Sequence, residues 1–99
     1  MEILFSKKAF NDLDKIEEYI LAKWNDKVLE DFHSKLDTCL QLIVDGVAIF
    51  QNYEDTSYQK VMITKHNTLI YRIDDDVLKV IRIIQNYQNP DENYQSLNE

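Results

Sequence analysis

The sequence predicts an α+β domain, an antiparallel helical hairpin packed on one face of an antiparallel sheet. Three observations predict it. Apolar residues recur every three or four positions through the first half of the chain. They recur every second position from Tyr58 to Tyr87, in segments rich in Val, Ile, Tyr and Thr. The length of 99 residues suits one domain with one modest core.

The elements follow in order. Glu2 to Phe5 is a short apolar run and reads as a first strand. Ser6 follows as a good helix N-cap. From Ala9 the apolar positions Phe10, Leu13, Ile16, Ile20 and Trp24 mark one helical face, with Asp12, Asp14, Lys15, Glu17, Glu18 and Lys23 mostly on the solvated one. Asn25-Asp26 breaks the pattern, and either residue can cap a second helix. That helix carries Val28, Leu29, Phe32, Leu36, Cys39, Leu40 and Ile43 on its apolar side and ends at Asp45-Gly46, the only glycine of the chain. So short a connection makes the helices antiparallel, with Phe10, Leu13, Ile16, Ile20 and Trp24 expected against Leu29, Phe32, Leu36, Leu40 and Ile43.

Gln51 to Thr56 is polar and reads as loop. Tyr58 to Thr64, Thr68 to Ile73 and Val77 to Tyr87 read as strands, with turns at Lys65-His66-Asn67 and Asp74-Asp75-Asp76. They form a three-stranded meander, which gives the order β-α-α-β-β-β. One sheet face is then covered by the hairpin and the other left open. Residues 1–88 are expected to be the domain and the polar residues 89–99, with Pro90, a C-terminal tail.

Composition narrows function. No stretch is long and apolar enough to span a bilayer, and the first eight residues lack the order of a signal peptide. A single cysteine, Cys39, excludes an internal disulfide and makes a reducing cytoplasm the simplest setting. The formal net charge of −7 argues against non-specific nucleic-acid binding by the whole surface. Charge is uneven, however. From Lys60 to Arg82 there are five basic residues (Lys60, Lys65, Arg72, Lys79, Arg82) and three acidic ones (Asp74, Asp75, Asp76).

Most catalytic arrangements are missing. His33 and His66 have no second ligand at metal spacing, so no metal or cofactor is expected. Cys39 lies on an apolar stripe and reads as buried and inert. One glycine cannot build a phosphate-cradling loop. The sheet is what remains, because Lys60, Arg72, Lys79 and Arg82 lie on its strands. A three-residue loop at Asp74–Asp76 would pair Ile73 with Val77 and point Arg72 and Arg82 to the same side. A two-residue loop would put Arg72 with Lys79 instead, since a one-residue slip flips a strand. Either register sets two cations on the open face, an anion-recognition surface. His66, in its turn beside Lys65, and Tyr87, after the last strand, are candidate binding residues.

The chain resembles the RelE/ParE superfamily, the toxins of bacterial type II toxin–antitoxin modules, also called plasmid stabilisation proteins. The resemblance runs from Ile3 to Pro90. It rests on Ala9, Asp12-Leu13, Ile16, Tyr19-Ile20 and Trp24, then Phe32 and Leu36, then Leu69-Ile70-Tyr71-Arg72-Ile73 and Val80-Ile81-Arg82-Ile83-Ile84. It closes on Asn86-Tyr87-Gln88-Asn89-Pro90, like many ParE-like members. The resemblance implies a cognate antitoxin whose C-terminal segment wraps the toxin. It implies one of two targets: DNA gyrase for ParE-like members, or mRNA on the ribosome for RelE-like endoribonucleases. A RelE-like reading would make Lys60, Lys65, Arg72, Arg82 and Tyr94 the catalytic set. The chain departs from that pattern, with Thr68 and Tyr87 where RelE-like enzymes carry arginines. The resemblance is therefore closer to a ParE-like toxin, the alternatives being a RelE-like enzyme or a degenerate toxin that only binds its antitoxin.

Overall fold

A computed structural model describes residues 1–47 and 51–86. Within them the elements are β1 (Glu2–Phe5), α1 (Lys7–Lys23), α2 (Asp26–Val44), β2 (Gln51–Asn52), β3 (Gln59–Thr64), β4 (Asn67–Asp74) and β5 (Val77–Gln85). The expected tail and the end of the last strand at Tyr87 lie outside the described residues.

Both helices start where the caps place them. Ser6 Oγ accepts the Ala9 N–H at 3.0 Å, and Asn25 Oδ1 accepts the Val28 N–H at 3.0 Å. Only Trp24 and Asn25 separate the helices, and Glu17 meets His33 across the hairpin. The second helix ends on Gly46 at φ 72°, the left-handed conformation glycine adopts without a Cβ clash.

The meander is antiparallel, as expected, with the hairpin on one face. The sheet as a whole is mixed, in the order β1-β5-β4-β3-β2. β1 joins β5 in parallel, and the chain turns out of β1 directly into α1. Gln51 and Asn52, expected as loop, add a two-residue strand beside β3. Both meander turns are tighter than their sequences suggest. Asn67 belongs to β4 and is buried, and Asp74 pairs with Val77, leaving only Asp75 and Asp76 in the second loop.

The main core lies between the helices and the sheet: Ile16, Ile20, Phe32, Leu36 and Ile43 pack on Leu69, Tyr71, Leu78, Val80 and Ile83. Two expected members are not there. Phe10 is 54% exposed and Trp24 66% exposed. Trp24 is the residue after the last turn of α1, with φ −130° and ψ −122°, and its backbone turns away from the helical face. Phe10 stacks on Phe5 at the sheet edge with ring centroids 5.3 Å apart, and the smaller Ala9 takes the interior position. Leu13 and Leu29 are only partly buried.

The opposite sheet face is not bare. Tyr53, Ile70 and Ile84 form a second small cluster there, flanked by Tyr58 and Ile81. The chain between β2 and β3 thus covers part of that face.

Candidate functional site

Register decides which charged side chains share the open face. Ile70 and Ile84 lie in its small cluster, so the same-face residues of β4 are Thr68, Ile70, Arg72 and Asp74. The two-residue loop sets Arg72 directly opposite Lys79. A β-bulge follows: Tyr71 pairs with Val80 but Ile70 pairs with Arg82, so Ile81 is the extra residue. The bulge restores Arg82 to the face that carries Lys79. Lys60 pairs with Ile70 from the other side. Register therefore places four cationic residues on this face, in two rows: Arg72 beside Lys79, and Lys60 and Arg82 flanking Ile70, with the Arg82 guanidinium turned to Asp12 of α1. Sequence reasoning, treating the two registers as exclusive, expected two.

Two carboxylates tie three of these cations down. Asp12 of α1 accepts from Arg82 Nε at 2.6 Å and from Arg82 Nη2 at 2.9 Å. It also accepts the Ile83 N–H at 3.0 Å, on the stretch of β5 that β1 no longer flanks. Ser6 Oγ donates to the Ile81 carbonyl at 2.7 Å, so the start of α1 is sewn to the bulge at two points. The second carboxylate is Asp74, whose Oδ2 lies 2.7 Å from Arg72 Nε and 3.4 Å from Lys79 Nζ. The Arg72 N–H does not point at that oxygen, so Nε is in ion-pair contact yet makes no hydrogen bond. The guanidinium carbon sits 5.9 Å from the centre of the Tyr58 ring, a cation–π contact.

The other expected residues lie elsewhere. Lys65 and His66 form the β3–β4 turn. The strand from Asn67 to Arg72 alone spans about 17 Å, so this turn lies well away from Arg72. The turn is fastened by Asn86, which donates from Nδ2 to the Lys65 carbonyl at 2.7 Å and from its backbone to the His66 carbonyl at 2.9 Å. Thr68 Oγ1 donates to Asn86 Oδ1 at 2.6 Å, and Thr68 is buried. Tyr87 and Tyr94 lie outside the described residues. His33 is half-exposed and bonded to Glu17 at 2.5 Å.

Titration is perturbed at three buried groups. Burial pushes the Cys39 thiol up. It pushes up the Tyr53 hydroxyl, with Glu54 adding and Arg82 opposing. It also pushes up the Tyr71 hydroxyl, with a smaller contribution from Cys39. All three stay protonated at neutral pH. No group of three or more potential metal ligands occurs among the described residues, and no helix there is long and apolar enough to cross a membrane.

The sequence assigns no site role to Asp12, Asp74 or Asn86. Asp12 falls on the polar side of its helix, and no local pattern announces a contact 70 positions away with Arg82. Asp74 reads as a turn residue.

The model of the ParE toxin of type II toxin–antitoxin systems, parDE, matches residues 3–90. No curated protein sequence matches the chain. Among solved structures, it is similar to a copper-bound mutant toxin from Helicobacter pylori, with 17% identity, TM-score 0.63, and 87% of this chain and 94% of that one covered. It is similar to the YoeB dimer from Staphylococcus aureus, at 23% identity, TM-score 0.60, and 88% and 98% coverage. It is also similar to the DinJ–YafQ complex from E. coli, at 16% identity, TM-score 0.57, and 85% and 91% coverage. Likeness at these identities is a likeness of fold.

Proposed function

The chain belongs to the ParE toxin family of type II toxin–antitoxin systems, and from that premise we propose that it arrests growth in the cytoplasm by binding DNA gyrase through its cationic open face, without cutting RNA. As a toxin of such a module it acts with a cognate antitoxin.

The observation that carries the non-cleaving reading is the Thr68–Asn86 pair. RNA cleavage by 2′-OH attack requires a base, an acid and cationic stabilisation of the phosphorane. Thr68 stands where RelE-like enzymes are expected to hold an arginine. It is buried and bonded to Asn86, so a neutral, closed contact takes that place. Arg82 is engaged by Asp12. The loss of one stabilising donor typically lowers turnover by roughly 10²–10³.

A second reading, ribosome-dependent mRNA cleavage, is favoured by a different observation. Lys60, Arg72, Lys79 and Arg82 share one face, twice the cations expected from the sequence. Two of the similar solved structures carry the names YoeB and YafQ rather than ParE, which supports this side. Here Lys60, Lys65, Arg72, Arg82 and Tyr94 would be the working residues, with His66 and Tyr87 as binding groups. A degenerate toxin that only binds its antitoxin would use neither target.

The antitoxin proposal draws support from the YoeB–YefM toxin–antitoxin heterotetramer, whose toxin shares this fold at 23% identity. The test is expression with and without the adjacent gene. Growth arrest without it, relief with it, and co-purification of the two products are expected. A neighbour that neither co-purifies nor relieves arrest would defeat the assignment. A DNA-damage response on induction separates gyrase poisoning from translation arrest.

A further inference from the structure

The sheet ends differently at its two edges. At one edge β2 is two polar residues long, Gln51 and Asn52, and a strand so short offers little to pair with. At the other edge β1 has β5 on one side and no strand of the described residues on the other. It carries no proline, lysine or bulge, the usual guards of an exposed edge. Large apolar side chains crowd it instead. Ile3 is 37% exposed, Leu4 46% and, on the adjoining first turn of α1, Phe10 54%. We propose that β1 pairs with β1 of a second copy of this chain, antiparallel about a two-fold axis at Leu4, so that two sheets join into one.

The backbone fixes this register. The Ser6 N–H donates to the Val80 carbonyl at 2.9 Å, so the main-chain groups of Ser6, Leu4 and Glu2 turn toward β5. Those of Ile3 and Phe5 turn outward. Antiparallel pairing about Leu4 sets Ile3 opposite the partner's Phe5, and such a pair exchanges N–H···O=C bonds in both directions. The side chains agree with the backbone. Ile3 and Phe5 pair with the buried Leu78 and Val80 on the helix face, so two apolar residues meet there beside the stack of Phe5 on Phe10. Leu4 meets the partner's Leu4 on the open face, with Cα atoms about 4.5 Å apart.

A second copy is the occupant because the strand is complementary to itself. Glu2 stands at its start and Lys7 just beyond its end, and both are exposed. Antiparallel pairing brings each Glu2 beside the partner's Lys7, whereas parallel pairing in register would line up like charges. A contact over four strand residues is smaller than a standard interface of about 1,600 Å². The pair therefore forms in the micromolar range and separates on dilution. Its axis is normal to the sheet, so both open faces lie on the same side of the joined sheet.

The test is sedimentation velocity of the full chain over a concentration series, with melting of each variant as the folding control. The average mass is expected to rise from the 11.8 kDa of one chain toward twice that value. Leu4→Glu sets like charges across the axis but lies beside Lys79 in its own sheet, so it is expected to keep its melting temperature and lose the dimer. Glu2→Lys or Lys7→Glu alone is expected to weaken the dimer roughly two- to fivefold. The two together are expected to restore it, a rescue that antiparallel self-pairing produces. Leu4→Cys is expected to cross-link two chains under mild oxidation, since a Cα separation of about 4.5 Å lies within disulfide range. A mass that stays at 11.8 kDa, or a dimer that survives Leu4→Glu, overturns the proposal. A chain that is monomeric alone, and that loses co-purification of the adjacent gene product in Leu4→Glu, assigns the edge to an antitoxin strand and overturns it too. Self-association is read without any measure of growth, so the toxin assignment stands or falls separately.

Discussion

Tyr71 is fully buried in β4, and its hydroxyl has no hydrogen-bond partner among the described residues. A buried polar group left unsatisfied costs about 1–3 kcal/mol. Tyr71→Phe keeps the ring and removes the hydroxyl, so it should leave stability unchanged or raise it by about 1 kcal/mol, read as a higher urea midpoint. A clear loss would show that the hydroxyl has a partner after all. Asp12 is the opposite case. It accepts three hydrogen bonds, and the Asp12 and Arg82 side chains are only 12% and 15% exposed. Asp12→Ala strands both the guanidinium and the Ile83 N–H, so a loss of about 3 kcal/mol is expected. Urea denaturation measures it, and a loss below about 1 kcal/mol would mean that water replaces the carboxylate.

At the scale of elements, the hairpin and the acidic turn make separate predictions. Phe32 is 4% exposed in the main core, so Phe32→Ala should cost about 3–5 kcal/mol, while Trp24→Ala should stay within about 0.5 kcal/mol because Trp24 is exposed. Thermal melts of the pair check this, and equal effects would refute the packing. Asp76→Gly relieves a left-handed non-glycine residue at φ 66° and should stabilise the β4–β5 hairpin by roughly 0.5–1 kcal/mol. Element type was legible because periods of 3.6 and 2 record one-sided burial, and Ser6, Asn25-Asp26 and Gly46 marked the breaks between elements. Edges were not. Trp24 continues the spacing of its helix but falls one residue past it, and periodicity carries no mark for where a helix stops. The parallel seat of β1 was invisible, since Glu2 to Phe5 contains nothing that names its partner.

The whole molecule joins a −7 chain to one face where register places four cationic residues. Their types were legible in the sequence, but their convergence was not. It depends on a bulge at Ile81 that Ser6 and Asp12 hold from another element, and such long-range causes leave no local pattern. Global stability should fall in alkali. Cys39, Tyr53 and Tyr71 are all raised in the fold above their ordinary values of 9.0 for the thiol and 10.0 for the phenols. The unfolded chain therefore loses these protons first. Their contribution is fully present below about pH 9 and is lost as pH rises toward the folded values. Urea midpoints should drop across that range, and a flat profile would contradict the burial of these groups.

The most direct test of binding without cutting is primer extension on a translated mRNA after this chain is induced without its antitoxin. Growth arrest with no new 5′ ends in the ribosomal A site is expected, together with a DNA-damage response. Clear A-site cleavage that disappears in Arg72→Ala or Lys65→Ala would contradict it and establish the endoribonuclease reading.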